Sequence, residues 1–248
     1  MATAKKAKQE VATTNEQMPA WLQDKMDDTR GSENVEAEDL VIPRLELAQA
    51  LSKCRKKQDP AYIPGCEEGM LYNNLTRELY GESVDLVPVF FKKEWLLWRD
   101  QDLGGGFAGA HPSLSAAETE RQNQDDPDEW ESIETHQHFC LLVREDGTTE
   151  EVVVSMAKSK MKKSKNWNSL IRINGGPRFS RMYKYEGVAA VNDKNQDYYN
   201  VDVKNAGFVT PEIFEKAEKT YESIASGKAK VDYSYDDMGG SEEEENEL

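Results

Sequence analysis

Between Val152 and Tyr185 the chain carries no Asp or Glu, yet it holds nine cations: Lys158, Lys160, Lys162, Lys163, Lys165, Arg172, Arg178, Arg181 and Lys184. Clustered ammonium and guanidinium groups attract phosphates, because neutralising a polyanion releases its condensed counterions. Four aromatics lie among them: Trp167, Phe179, Tyr183 and Tyr185. Rings that stack bases beside cations that hold phosphates suit single strands and tolerate any sequence. If Phe179 to Tyr185 is a strand, then Phe179, Arg181, Tyr183 and Tyr185 share one face. The plain alternative is a solvated basic helix beside core aromatics. Phe91, Lys93 and Trp95 repeat the pattern more faintly, with Lys92 and Arg99 nearby. That segment is apolar on both faces, so Trp95 and Trp98 are expected to pack. The expected nucleic-acid contacts are thus Lys92, Lys93, the nine cations and the four aromatics.

The whole chain has a net charge of -16, which taken alone argues against a nucleic-acid partner. Removing the +9 island leaves -25 on the remainder, so the charges are segregated and the total misleads. Beyond Lys230 no base occurs, while Asp232, Asp236, Asp237, Glu242, Glu243, Glu244, Glu245 and Glu247 lead to Leu248. Such a tail can compete with nucleic acid for the basic island. Once displaced, Glu242 to Glu245, Glu247 and Leu248 are free for a partner protein.

Catalytic patterns are poor. The chain has no GxxxxGK[ST] loop, HExxH or CxxC. His136, His138 and Cys140 would share one strand face, half of a zinc site, but no fourth ligand is indicated. Two exposed histidines beside a buried cysteine is the simpler expectation. No metal and no cofactor is expected, nor an enzyme.

Hydrophobic residues make up only 38% of the chain and charged ones 31%, too little apolar material to order its whole length. Residues 1–37 read as a disordered arm that docks, if at all, through Trp21. Residues 228–248 read as a disordered acidic tail, and 38–227 as one domain. The start has no apolar signal core, no segment is long enough to span a membrane, and three irregularly spaced cysteines suit a reducing cytoplasm.

Within the domain, Leu40 to Leu47 suits an edge strand and Gly69 to Thr76 a second one. Ser83 to Arg99 is the strongest β segment, either one long bent strand or two. Residues 104–135 read as a long acidic loop, with Ser113 capping a short helix over Leu114 to Gln122. Asp146-Gly147 marks a hairpin between His136–Arg144 and Thr149–Met156. Ser159 to Ile173 is expected to be helical, stopped by Gly175-Gly176-Pro177. Phe179–Val191 and Asp197–Val209 form a second hairpin. Thr210-Pro211 opens a last helix, to about Ala225. The sum is a mostly β (α+β) fold, for which an OB-like antiparallel barrel with an inserted helix and a C-terminal helix is the expected architecture, other small barrels or an α+β sheet also fitting.

Three segments carry a resemblance: Asp39-Leu40-Val41-Ile42-Pro43-Arg44-Leu45 with Gln49 and Ser52, Val87-Pro88-Val89-Phe90-Phe91-Lys92, and Leu96-Leu97-Trp98-Arg99-Asp100. Together they resemble a family of tailed-phage proteins associated with phage single-stranded-DNA-binding proteins. The resemblance spans roughly Asp39 to Gly106 and implies no site residues. The acidic tail is similar in style to those of phage and bacterial single-strand-binding proteins. It ends Asn246-Glu247-Leu248 rather than in a proline–phenylalanine tip.

The leading expectation is binding of single-stranded DNA without chemistry, in the cytoplasm of an infected bacterium, with replication or recombination proteins recruited by the tail. A host-takeover or DNA-mimic protein is the first rival, and a metal-dependent nuclease or recombination enzyme the second. Oligomeric state stays open, a homodimer included.

Overall fold

The computed structural model describes residues 41–100, 103–192 and 194–226. The expected N-terminal arm, its Trp21 and the acidic tail lie outside the described residues.

Among the described residues nine strands form two antiparallel sheets. The smaller contains β1 (Leu45–Leu47), β2 (Leu71–Asn73) and β3 (Leu79–Gly81), in that order. The larger is built on β4 (Ser83–Arg99), a single strand of 17 residues that bends at a bulge between Pro88 and Phe90. Its order is β7 (Thr149–Ala157), β6 (Trp130–Val143), β4, β8 (Arg181–Val191) and β9 (Asp197–Phe208), with β5 (Phe107–His111) also paired to β4. The described residues also form three α-helices: α1 (Leu114–Gln122), α2 (Met161–Asn174) and α3 (Pro211–Ala225). Ser113 and Thr210 cap α1 and α3 by accepting from backbone amides, as their side-chain chemistry favours.

The described strands do not close into a barrel. β7 and β9 are opposite edges of the large sheet, and the chain bridges them instead with the segment around β1. The Val153 amide of β7 donates to the Pro43 carbonyl at 2.8 Å. At the other edge the Gln49 side chain exchanges two hydrogen bonds with the Tyr199 backbone of β9, at 2.7 and 3.0 Å. Open edges are thereby covered without a continuous ladder. Gly187 allows the small sheet to approach: a Cβ there would meet the Gly69 carbonyl oxygen at 2.1 Å. Gly69 itself has φ +80 and lies against the Tyr199 ring, so neither position has room for a side chain.

The sheet separates two apolar layers. One gathers Leu86, Cys140, Val152, Val154, Met156, Tyr183, Tyr185 and Val201 with Trp167 of α2 and Leu45, Leu47 and Leu71 of the small sheet. The other gathers Val87, Val89 and Leu141 with Phe179 and Ala217 of α3. Both faces of the sheet therefore carry an apolar layer, which buries Phe139, Tyr183 and Tyr185.

The helix expected over Leu114 to Gln122 is present, but the rest of residues 104–135 is not the irregular loop expected. They form β5, α1 and the first part of β6, because the far half of β4 offers a free backbone ladder. The acidic residues that hid this structure are partly neutralised by local bases. Glu129 pairs with Arg99 at 2.5 Å, Glu118 with Arg121 at 2.8 Å and Glu134 with Lys93 at 2.9 Å.

Candidate nucleic-acid interface

Helix α2 positions the basic island. Ser164, Trp167 and Ile171, three and four residues apart, point at the sheet, and the first two are fully buried. The opposite face is set by the same period. Lys162, Lys165, Ser169 and Arg172 follow at intervals of three, four and three residues and are all exposed. Among the described residues Lys162, Lys165 and Arg172 have no ion-pair partner. Lys162 also sits in the first turn of α2, where the helix dipole is positive and a cation is disfavoured. Nothing in the helix itself rewards that placement.

The other expected cations divide. Lys158 pairs with Glu131 at 3.1 Å and Lys163 with Asp202 at 2.9 Å. Lys92 pairs with Glu94, and Lys93 both pairs with Glu134 and lies 5.4 Å from the Trp95 ring centroid. Lys160, half-buried, directly precedes α2. Lys184 is exposed but alternates with Tyr183 and Tyr185, so it leaves the sheet on the side away from α2.

The aromatic half of the expectation is corrected. Trp167 is 0% exposed, Tyr183 1%, Tyr185 2% and Phe179 7%, so none is a surface stacking platform. Trp167 packs over Tyr183 and Tyr185 with ring centroids 5.9 and 6.3 Å away. Nor do Phe179, Arg181, Tyr183 and Tyr185 share one strand face. Phe179 lies in a 3-10 turn (Arg178–Ser180) before β8 and packs on Phe214 of α3, in the other layer. A bulge between Met182 and Tyr183 breaks the alternation further. An aromatic that the sequence does not single out is strongly exposed. Phe208, at the end of β9, is 72% exposed, with the Arg181 guanidinium 3.9 Å from its ring centroid. It lies near the end of α2: Asn174 donates to the Tyr183 hydroxyl, and Arg181 and Phe208 are paired a few residues along the same hairpin. Its signal in the sequence was faint, a lone ring at the end of an edge strand.

Arg178 is turned inward. Its Nη2 donates to Nδ1 of His138 at 2.8 Å and its Nη1 to Asn168 of α2 at 2.9 Å. A guanidinium only donates, so His138 Nδ1 must accept and its Nε2 must carry the proton. Nε2 then donates to the Ser164 hydroxyl at 2.7 Å, Ser164 donates to Nδ1 of His136 at 2.7 Å, and His136 donates from Nε2 to Glu134 at 3.3 Å. One consistent set of tautomers runs from Arg178 to Glu134. Burial holds both imidazoles below the ordinary histidine range, His138 well below it with the Arg178 charge adding to the effect. Lys93 beside Glu134 holds that carboxyl low.

The histidines are therefore buried, not exposed as the sequence suggested, and their ring nitrogens are occupied, which leaves no zinc half-site. The order Glu134, His136, Ser164 is that of an acyl-transfer triad, but Ser164 is fully buried and also accepts from His138. The relay instead fastens α2 to the sheet. Ser164 was missed because a lone serine on an apolar helix face gives no signal until its partners are known. Among the described residues no group of three or more His, Cys, Asp or Glu side chains converges as a metal site.

Between α2 and β9 runs a groove of about 340 Å³, lined by Asn166, Leu170, Ile173 and Val203, with Lys163 and Asp202 at its side. Ile173 is 80% exposed beside Arg172.

The architecture is thus an open antiparallel sheet with a helix on each face, one of them bearing a basic stripe without ion-pair partners among the described residues. A family model described as Pam3 phage gp34-like protein matches residues 7–230. The chain belongs to that family, a family of phage proteins. No curated protein and no solved structure matches it. Among the described residues no helix is long and apolar enough to cross a membrane.

Proposed function

We propose that this phage protein binds single-stranded DNA, without strong sequence preference and without chemistry, through the solvent face of α2. The observation that carries the reading is the stripe of Lys162, Lys165 and Arg172, exposed and without an ion-pair partner among the described residues, in a chain of net charge -16. Three cations along one helix face offer a run of phosphate contacts, and steering by such a patch survives an acidic total. Bases are taken up beside the stripe, by the Leu170–Ile173–Val203 groove and by the Arg181–Phe208 stack. These replace the buried aromatics. The reading does not depend on an OB barrel, because the contacts lie on a helix and on a strand end.

On the same reading the acidic tail, Asp232 to Leu248, competes with DNA for the stripe and recruits replication or recombination proteins when displaced. Membership of a phage family supports a setting in the infected host's cytoplasm.

The test is anisotropy of labelled oligonucleotides, single against double stranded, at low and physiological salt. Tighter binding of single strands with a steep salt dependence is expected. No binding at low salt, or an affinity indifferent to salt, would overturn the reading.

A further inference from the structure

Cys54 and Cys66 are twelve residues apart in the chain and 3.3 Å apart at sulfur. Both are free thiols. Cys54, in a 3-10 turn (Lys53–Arg55), is buried with Ala48 and Ile63, while Cys66 is half-exposed at the rim of the same cluster. Backbone bonds fix the two turns against each other: the Ile63 amide donates to the Cys54 carbonyl at 2.8 Å and the Cys66 amide to the Ile63 carbonyl at 3.2 Å. The sulfurs therefore face each other because the loop is folded around them. An S–S bond needs an approach of only roughly 1.3 Å more, within the reach of side-chain rotation.

We propose that Cys54 and Cys66 are a paired modification site, converted to an intrachain disulfide by a low-molecular-weight disulfide such as oxidised glutathione. Cys66, the accessible thiol, loses its proton and attacks one sulfur of the reagent. That S–S bond breaks, and one thiolate leaves and is protonated. Cys54 then loses its proton and attacks the Cys66 sulfur of the mixed disulfide, expelling the second thiolate. Two protein thiols are oxidised, and one reagent disulfide is reduced to two thiols. Burial pushes the Cys54 thiol up to about 12 and raises that of Cys66 as well. The exchange is accordingly slow at neutral pH and quickens as pH rises.

The position gives the bond a consequence. The cluster it staples has only Ala48, Cys54 and Ile63 fully buried, so it is among the regions expected to open first. Its loop leads from the Leu45–Gln49 bridge, through the Arg55–Glu68 ion pair at 2.7 Å, to the start of β2. The oxidised chain is held closed over the β7 and β9 edges, and the reduced chain is freer to open there. Residues 54–66 form a short loop, for which cross-linking restricts the unfolded chain and stabilises the folded one.

The experiment treats the full chain with oxidised glutathione at mildly alkaline pH and follows free thiols, intact mass and thermal unfolding. Thiols should fall from three to one, with the loss of two hydrogens and no retained glutathione. Arg55, Lys56 and Lys57 lie between the two cysteines, so trypsin should release a joined Cys54–Cys66 peptide pair that reduction splits. The melting temperature should rise on the order of 5–10 °C and return on reduction. Cys54→Ser should stop at a glutathione adduct on Cys66, while Cys66→Ser should not react. Three unreacted thiols, a stable adduct on the unaltered chain, or a link to Cys140 would each overturn the proposal.

Discussion

Arg178 donates to Nδ1 of His138 across 2.8 Å, so a cation from the heart of the basic island serves the interior instead of a ligand. Its guanidinium also lies 5.4 Å from the Phe91 ring centroid. Arg178→Ala should cost about 2–4 kcal/mol of folding stability, since it leaves a buried imidazole and Asn168 without their donor. Urea unfolding measures this. Affinity for DNA, measured on the folded fraction, should change far less than stability.

Replacing Lys162, Lys165 and Arg172 together with Gln should have the opposite signature. DNA affinity should fall at low salt, and the slope of log K against log salt should flatten by roughly 2 if all three contact phosphates. Stability should change little, because Lys162 in the first turn of α2 opposes the helix dipole while Arg172 in the last turn favours it. Lys92→Gln and Lys93→Gln serve as controls: both lysines already have carboxylate partners, and their loss should leave the slope unchanged.

The exposed ring and the buried ring should part company. Phe208→Ala should weaken single-strand binding by about 1–3 kcal/mol if a base stacks there, with little effect on folding. Trp167→Ala should destabilise the fold by about 3–5 kcal/mol, because it empties the layer between α2 and the sheet. A Trp167→Ala protein that melts like the parent would refute the assignment of that ring to the core.

Stability should fall as pH drops below the ordinary histidine value of 6.5. His136 and His138 are held neutral when folded, so between 6.5 and their lower folded values the unfolded chain binds protons that the folded one does not. Above about pH 7 neither state is protonated, and this contribution is constant. Glu78 and Glu134, held low by Arg144 and Lys93, lose their contribution only at more acid pH, below 4.5. Unfolding free energies of His138→Gln against the parent should converge as pH falls from 7 to 5. Parallel curves would show that the relay does not titrate in this window.

Deleting Asp232 to Leu248 should tighten single-strand binding, most at low salt, since eight carboxylates then no longer compete for the stripe. Equal affinity and slope with and without the segment would show that it does not compete.

The sequence alone carried much of the local structure. Ser83 to Arg99 is β-branched, aliphatic and aromatic enough to be a strand anywhere. Asp146-Gly147 makes a turn through its own backbone preferences, and Ser113 and Thr210 cap helices through bonds spanning three residues. Charge segregation was equally plain, because it needs only counting. Residues 104–135 were misread for the reason these succeeded: their strands are specified by the ladder β4 offers, not by their own polar residues.

What tertiary structure alone decided is which side of each element meets solvent. A strand period puts Tyr183 and Tyr185 on one face, but it cannot say whether that face binds DNA or a helix. Here α2 covers one face of the sheet and α3 the other, so Tyr183 and Tyr185 pack under α2, while Phe208 at the strand end stays exposed. The same packing turned Arg178 inward, buried both histidines around Ser164, and left Lys162, Lys165 and Arg172 outside. Whether the sheet closed was also decided at long range, by the meeting of Pro43 with Val153 and of Gln49 with Tyr199. Local sequence fixes short-range hydrogen bonds and periodicity, whereas burial depends on what arrives from elsewhere in the chain.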